Sequence, residues 1–157
     1  KKSANMVLLE NHGIFVAGDT IEQIKEVMDF VMSAIKASII KTPDFGAVKD
    51  KEGIDEFKAQ IKNVLGADAN SIIYFNNTEI SRLIADKQAF SAVDYAFTPD
   101  HMVYYKHTAL FIETEMPVND EVLKYKAKFG FLPRVIAVKD IGVFACGGDV
   151  KQADRVL

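Results

Sequence analysis

The sequence predicts an α/β fold in which helices flank a layered mixed sheet. Short apolar, β-branched runs of strand length alternate along the chain with segments whose apolar residues recur at helical spacing. Glycine, proline and asparagine mark the turns between them, and this succession of strands and helices is typical of a layered α/β domain. A chain of 157 residues, of which 49% are apolar, is also long enough to bury a core without disulfides or metals.

Composition excludes several classes of partner. The formal charge is -3 and the chain has no Lys/Arg cluster, so we expect neither nucleic acid nor anionic lipid to bind. No apolar run reaches the roughly 20 residues that a bilayer requires, so we expect no membrane partner. Cys146 is the only cysteine, which excludes an intramolecular disulfide and a cysteine-based zinc motif and is typical of a reducing, cytoplasmic compartment.

The first predicted elements are a hairpin and a helix. Two apolar runs at residues 6–9 and 13–17 flank a short polar turn, which predicts a tight β-hairpin. Thr20 and Gln23 form a capping box, and apolar residues then recur at helical spacing until Pro43 forbids continuation. We expect the apolar stripe of this helix to face a core.

The middle of the chain predicts two helices around a strand. Residues 54–65 have the spacing of an amphipathic helix that ends at a glycine, and residues 71–75 are apolar and β-branched, as in a strand. Asn76, with Glu79 three positions on, predicts the start of another helix. The segment 86–97 favours neither helix nor strand.

The last third of the chain predicts strands and two helices. A helix capped by Asn119 ends at Gly130, and a final helix covers residues 150–157. Four short strands are predicted, at residues 101–106, 109–113, 134–139 and 142–146.

The two ends of the chain have similar sequence patterns, which indicates an internal repeat. Residues 136–153 laid over residues 7–24 give the same order of strand, turn, strand and helix, at the offset that pairs Gly13 with Gly142. The alternative is that any two hairpin-plus-helix segments look alike at this length. The turns differ, because the first carries Asn11-His12 and the second Asp140-Ile141.

We treat residues 1–157 as one α/β domain or a fragment of one. It contains the hairpin-plus-helix unit at residues 6–41 and a degenerate copy of it at residues 134–157. Since Lys1 is not an initiator methionine, we expect the sequence to open within a gene or after processing.

The hairpin carries a resemblance to a known family. Residues 8–13 read Leu-Leu-Glu-Asn-His-Gly, and residues 7–24 resemble the Leu-Leu-x-Asn-His-Gly hairpin and following helix of the class II aldolase/adducin family. The resemblance implies a class II aldolase type of fold and a lyase in which Zn²⁺ polarises the carbonyl of a phosphorylated keto-sugar. It also implies that His12 is one of three histidine zinc ligands and that the protein forms homo-oligomers.

The resemblance covers only residues 6–41. The family's other two histidine ligands lie in an upstream His-x-His strand, and its acid/base glutamate lies further upstream; this sequence contains neither. We therefore expect an incomplete zinc site and a catalytically silent chain, while the parent protein would be an aldehyde-lyase. Whether it cleaves or epimerises its sugar phosphate stays open.

A second resemblance concerns the downstream half. Residues 97–105 and 133–138, with Gly142-Val143-Phe144, resemble longer bacterial members of the family, in some of which a short-chain dehydrogenase domain follows the aldolase-like region. No Gly-x-Gly-x-x-Gly turn follows a predicted strand, so we predict no nicotinamide site.

Other assignments stay open for the candidate residues. His12 alone would be interpreted as a turn residue with local hydrogen bonds. His101 and His107, with Asp100, would form a His/His/Asp cluster across a short hairpin; we favour a turn role for His101 and an exposed loop tip for His107, because their spacing matches no standard zinc pattern. We interpret Cys146 as a small buried hydrophobe.

Three functions follow from these assignments. The first is part of a zinc-dependent class II aldolase-like lyase acting on a sugar phosphate. The second is a non-catalytic structural or interaction module, as in the adducin branch of the family. The third is a self-contained metalloenzyme built on His12, His101 and His107.

Overall fold

The computed structural model describes residues 4–10 and 12–156, and it is a mixed α/β structure. The chain divides into two compact units, Lys1–Pro43 and Asp44–Leu157, called here the N-terminal and the C-terminal unit. The predicted α/β class with a mixed sheet and flanking helices is confirmed. The assignment of the whole chain to one domain stays a prediction.

The N-terminal unit is a hairpin followed by one helix. Strands β1 (Met6–Leu9) and β2 (Gly13–Val16) pair antiparallel, and helix α1 spans Ile21–Ser38. The predicted cap is confirmed, because the Thr20 side chain accepts a hydrogen bond from the Gln23 N–H at 3.3 Å.

The expectation that the stripe of α1 faces a core is wrong. No residue of α1, all of which the structure describes, is buried. Two four-residue strands have too little surface to cover an 18-residue helix. Phe30 and Ile35 are therefore exposed, and Ile24 and Val31 are only half-buried.

The C-terminal unit contains four strands and five helices among its described residues. A 3₁₀ turn, Gly66–Ala69, follows its first helix, and a π-helical turn, His101–Tyr105, precedes its second strand. In chain order the elements are α2 (Ile54–Leu65), β3 (Ser71–Phe75), α3 (Thr78–Leu83), α4 (Lys87–Ser91), β4 (Leu110–Ile112), α5 (Val118–Phe129), β5 (Val135–Val138), β6 (Gly142–Gly147) and α6 (Val150–Asp154).

These four strands form one mixed sheet in the order β3-β6-β5-β4. Strand β6 runs antiparallel to both neighbours, while β4 and β5 are parallel and are joined through α5, as parallel pairing requires. Alternate side chains of the fully buried β5 enter two apolar clusters. Ile136 and Val138 pack with Ile61, Val122 and Phe144, and Val135 and Ala137 pack with Ile84 and Phe90.

The predicted strand at residues 101–106 is wrong. His101–Tyr105 forms a single π-helical turn. Its start is held by Thr98, whose carbonyl accepts from the Met102 N–H at 3.2 Å and whose hydroxyl accepts from the His101 N–H at 3.3 Å. Pro99, which fixes its own φ near a helical value, lies inside this start and overrides the strand propensity of the aromatic run.

Two predicted caps are displaced by small amounts. Asn77, and not Asn76, caps α3 by accepting from the Ile80 N–H at 2.8 Å. Asn76 instead donates its side-chain amide to the Ile141 carbonyl at 3.0 Å. Helix α5 begins at Val118, so Asn119 lies inside its first turn. The segment 86–97, left open by the sequence, contains α4.

The two hairpins have the same strand register. In the first, residues 6–9 pair in order with residues 16–13, and in the second, residues 135–138 pair in order with residues 145–142. Each pair in one hairpin corresponds to a pair in the other at the offset from Gly13 to Gly142, and both glycines have positive φ, 140° and 157°. One backbone design therefore occurs twice.

Hydrogen bonds outside the ladder repeat as well. The Ala17 N–H donates to the Asn5 carbonyl at 2.9 Å, and the equivalent Cys146 N–H donates to the Arg134 carbonyl at 2.8 Å. Both helices begin with the same reciprocal cap. The Gln23 side chain accepts from the Asp19 N–H at 2.9 Å, and the equivalent pair, Gln152 and Gly148, lies at 3.2 Å.

Candidate functional site

The turn between β1 and β2 presents the candidate ligand His12. Its N–H donates to the Leu9 carbonyl at 3.1 Å, which closes the turn, and Gly13 follows in a conformation that suits glycine. The His12 side chain is exposed. The predicted turn partner Asn11 lies outside the described residues. The fold thus fixes the backbone of His12 while its imidazole lies at the surface.

The equivalent turn of the second hairpin is tied into the fold. The Ile141 N–H donates to the Val138 carbonyl at 3.1 Å, which reproduces the bond made by His12. The Ile141 side chain is only 8% exposed, and its carbonyl accepts from the Tyr74 hydroxyl at 2.9 Å and from Asn76. The same turn is therefore a packing element in one hairpin and a surface element in the other.

The described residues do not by themselves fit a zinc centre. A zinc site takes three or four ligands, and within residues 4–10 and 12–156 no three His, Cys, Asp or Glu side chains form a group that could hold a metal ion. His12 supplies a suitable imidazole without companions in such a group.

His101 has the turn role that we favoured. Its Nδ1 accepts from the Phe97 N–H at 3.1 Å, which fixes the turn before the π-helical residues. The ring centroid lies 6.0 Å from that of Phe97 and 5.9 Å from that of Tyr105. A local hydrogen bond and aromatic packing account for this histidine.

His107 is not the exposed loop tip that we expected. It is half-buried, and its ring meets Phe129 and Phe131 edge-on, at centroid distances of 4.8 and 5.6 Å. The correction has a simple cause. Phe129 and Phe131 flank the end of α5, and this aromatic cluster, which also includes Tyr125, covers the ring.

Cys146 is the small buried hydrophobe that the sequence predicts. It lies within β6 with none of its surface exposed, and burial raises the pKa of its thiol to about 12. A thiol that stays protonated at neutral pH is a poor nucleophile. The structure gives Cys146 a packing role.

Three cationic residues of the C-terminal unit were not predicted from the sequence. Lys106, Arg134 and Arg155 line one cavity of about 270 Å³. The repeat contains the signal that would have found two of them. At the repeat offset, Arg134 and Arg155 stand where the first copy has Asn5 and Glu26, so the second copy has gained positive charge at two positions.

Comparison with known proteins adds no relative. No family model matches the chain, and neither a curated protein nor a solved structure matches it. In the described part of the chain, no helix combines the length and the apolar character needed to cross a membrane.

Proposed function

We propose that this chain is part of a zinc-dependent lyase of the class II aldolase/adducin family, with the fold of that family. Its substrate would be a phosphorylated sugar, its compartment the cytoplasm and its assembly a homo-oligomer. His12 contributes one zinc ligand, and the other ligands come from outside the described residues. The chain by itself is catalytically silent.

The observation that carries this proposal is the contrast between His12 and Ile141. One turn geometry occurs twice, with the same 3.1 Å hydrogen bond closing each turn. Only the N-terminal copy places an exposed imidazole there, while the other buries an aliphatic side chain. Packing explains the isoleucine and leaves the histidine unexplained, because an exposed side chain contributes little to stability.

The chemistry of the turn suits a metal ligand. The hydrogen bond donated by its own N–H and the ladder that begins at Gly13 limit the positions that the Cα of His12 can take. A ligand held on a rigid element loses less conformational freedom on binding than one on a loose loop. This argument concerns orientation alone, since a complete site needs further donors.

Zinc content tests the proposal. We would measure zinc per chain by elemental analysis, after equilibration with Zn²⁺ and removal of the excess, on this chain and on the gene product that contains it. We expect almost none on the chain and about one zinc per subunit on the gene product. Stoichiometric zinc on the chain alone would contradict the incomplete site.

Two variants identify the ligand. In the gene product, His12→Ala should lose zinc while the metal-free melting temperature stays unchanged, whereas the neighbouring Glu10→Gln should keep both. Zinc retained by His12→Ala would refute the assignment. The isolated chain should not release dihydroxyacetone phosphate from a ketose phosphate, and chelator-sensitive release by the chain would refute its silence.

A second candidate function is a non-catalytic interaction module. The observation that favours it is the apolar surface of the N-terminal unit, where the cross-strand neighbours Val7 and Phe15 are both exposed, as is Phe30 of α1. Contiguous exposed apolar surface marks interaction sites. If the protein is an interaction module, Phe30→Ser should lower its self-association, as measured by sedimentation velocity. The gene product should then also hold no zinc.

A further inference from the structure

We infer that the C-terminal unit binds a small phosphate or phosphomonoester anion in the cavity lined by Lys106, Arg134 and Arg155. The cavity measures about 270 Å³, and none of its lining residues is acidic. A space of this size holds several water molecules and has room for a tetrahedral anion. The inference depends neither on His12 nor on zinc.

Arg134 gives the strongest evidence. One guanidinium nitrogen, Nη2, lies 3.5 Å from a carboxylate oxygen of the half-exposed Asp68. The other, Nη1, is buried and has no hydrogen-bond partner among the described residues. A buried donor of a charged group is costly to leave unsatisfied. Because Nη1 has almost no accessible surface, the guanidinium must rotate to present it to an anion in the adjoining cavity. The planar fork of arginine suits phosphate oxygens.

Lys106 and Arg155 are held beside the same cavity. Lys106 has φ 72° and ψ -176°, a combination that is essentially restricted to glycine. Such strained positions concentrate at ligand sites, and here the strain follows directly after the π-helical turn. The Arg155 guanidinium lies over the Tyr104 ring at 5.6 Å, which orients a side chain that is otherwise exposed.

The repeat supplies an internal reference for this site. The N-terminal unit has its own cavity of about 270 Å³, lined by Asn5, Glu26 and Val27 among others. At the repeat offset these residues correspond to Arg134, Arg155 and Val156, which line the cationic cavity. Three equivalent positions of the two copies thus line both cavities, and two of the three positive charges of the second come from the side chains at those positions.

A neighbouring cavity indicates where an organic part of the ligand would lie. It measures about 220 Å³, shares Tyr104 and Arg155 with the cationic cavity, and is otherwise lined mainly by aromatic residues, including Tyr95 and Phe97. Asp100 also lines it and would repel a second anionic group there. The arrangement suits an ester with its phosphate at the arginines and an uncharged remainder towards the aromatic rings.

Calorimetric titration of the 157-residue chain tests the inference. The probes are inorganic phosphate and glycerol 3-phosphate, each at low ionic strength because screening weakens exposed charges. The variants Arg134→Asn and Arg155→Glu install the side chains of the first copy. The control Lys126→Glu changes the charge as much as Arg155→Glu does, on the exposed surface of α5 and away from the cavity lining.

We expect saturable binding that either variant weakens about tenfold or more, while the control stays within about twofold. Tighter binding of the ester would place its organic part in the aromatic cavity, and equal binding would identify a site for free phosphate; both support an anion site. Arg155 is exposed, so its variant decides the matter even if Arg134→Asn unfolds. Absence of saturable binding, an unchanged Arg155→Glu, or an equal loss in Lys126→Glu would overturn the inference.

Discussion

The two hairpins of this protein have the same backbone and different surroundings. Strand register, turn closure and the capping glutamine repeat bond for bond between the two copies. Phe15 of the first copy is 61% exposed, whereas its counterpart Phe144 is fully buried. Hydrogen bonds therefore define the backbone conformation of both hairpins, and packing against neighbouring elements determines which side chains of each hairpin are buried.

The difference lies in the neighbours of each hairpin. In the C-terminal unit, β5 pairs with β4 and β6 pairs with β3, so the second hairpin forms the centre of a four-stranded sheet. In the described N-terminal unit, β1 and β2 pair only with each other. A hairpin alone is marginally stable in water, while additional strands and a buried face stabilise it.

Truncating the equivalent phenylalanines should give the largest difference. Phe144→Ala removes a ring that contacts Tyr74 and Phe57, with centroids 5.4 and 6.4 Å away, and should lower the free energy of unfolding by about 3 to 5 kcal/mol. Phe15→Ala should change it by less than about 0.5 kcal/mol. Urea unfolding followed by circular dichroism measures both. Equal effects would mean that the first hairpin is packed as well as the second.

Alanine substitution of the equivalent turn glycines should give the second-largest difference in stability. A Cβ at Gly142 would lie 2.4 Å from a ring carbon of Tyr74, whereas a Cβ at Gly13 meets nothing within 4 Å. Both positions have positive φ, so alanine strains each backbone by about 1 to 3 kcal/mol. Overpacking adds about 1 to 3 kcal/mol at Gly142 alone. Urea midpoints that fall equally in the two alanine variants would contradict the asymmetry.

Truncating the turn residues should give a moderate difference. Ile141→Ala removes a side chain that is 8% exposed and should cost about 2 kcal/mol, while His12→Ala should leave the stability of the metal-free chain within about 0.5 kcal/mol. Thermal unfolding in the presence of a chelator compares them. A large loss in His12→Ala would show that this histidine is a packing residue.

The smallest effect concerns alkaline pH. Burial raises the pKa of Cys146 to about 12, whereas a thiol in the unfolded chain titrates near pH 8.5. Because the folded pKa is the higher one, the stabilisation is complete below about pH 8.5 and is lost as the pH rises above it, by about 1 kcal/mol at pH 9.5.

The control for this pH effect is Cys146→Ala, which installs the residue that the first copy has at position 17. Its stability should fall less between pH 8 and pH 9.5 than that of the wild type. Tyr125, whose pKa burial raises to about 12, has an ordinary pKa near 10 and contributes mainly above that range. Parallel pH profiles of the two proteins would refute this account of Cys146.

Local signals in the sequence were sufficient for the hairpins and most helices. Apolar runs on either side of short turns predicted β1, β2, β5 and β6, and Thr20 with Gln23 predicted the start of α1, because ladders and caps depend on residues close in sequence. The strand predicted over His101–Tyr105 is wrong because the π-helical turn there depends on Pro99 and on two hydrogen bonds to Thr98. These local interactions outweigh strand propensity.

The burial of helix faces and the position of the cationic cavity could not be predicted from the sequence, because both depend on contacts between residues far apart in the chain. The stripe of α1 has the same apolar spacing as that of α2, yet α2 buries Ile61 and Leu65 against the sheet and α1 buries no residue in the described chain. The periodicity of apolar residues identifies the apolar face of a helix, but it does not show whether another element packs against that face. The cationic cavity was overlooked because Lys106 and Arg134 lie 28 positions apart in sequence, and only the fold brings them together.

The central claim is that the two hairpins have the same backbone hydrogen bonds but differ in how well they are packed. Native-state hydrogen exchange tests this claim most directly. The Ala17 and Cys146 amides donate equivalent hydrogen bonds of 2.9 and 2.8 Å, so bond geometry alone predicts similar protection. We expect the Cys146 amide to exchange only through global unfolding and the Ala17 amide to exchange about a thousandfold faster or more, through local opening. Equal protection of the two amides would contradict the account.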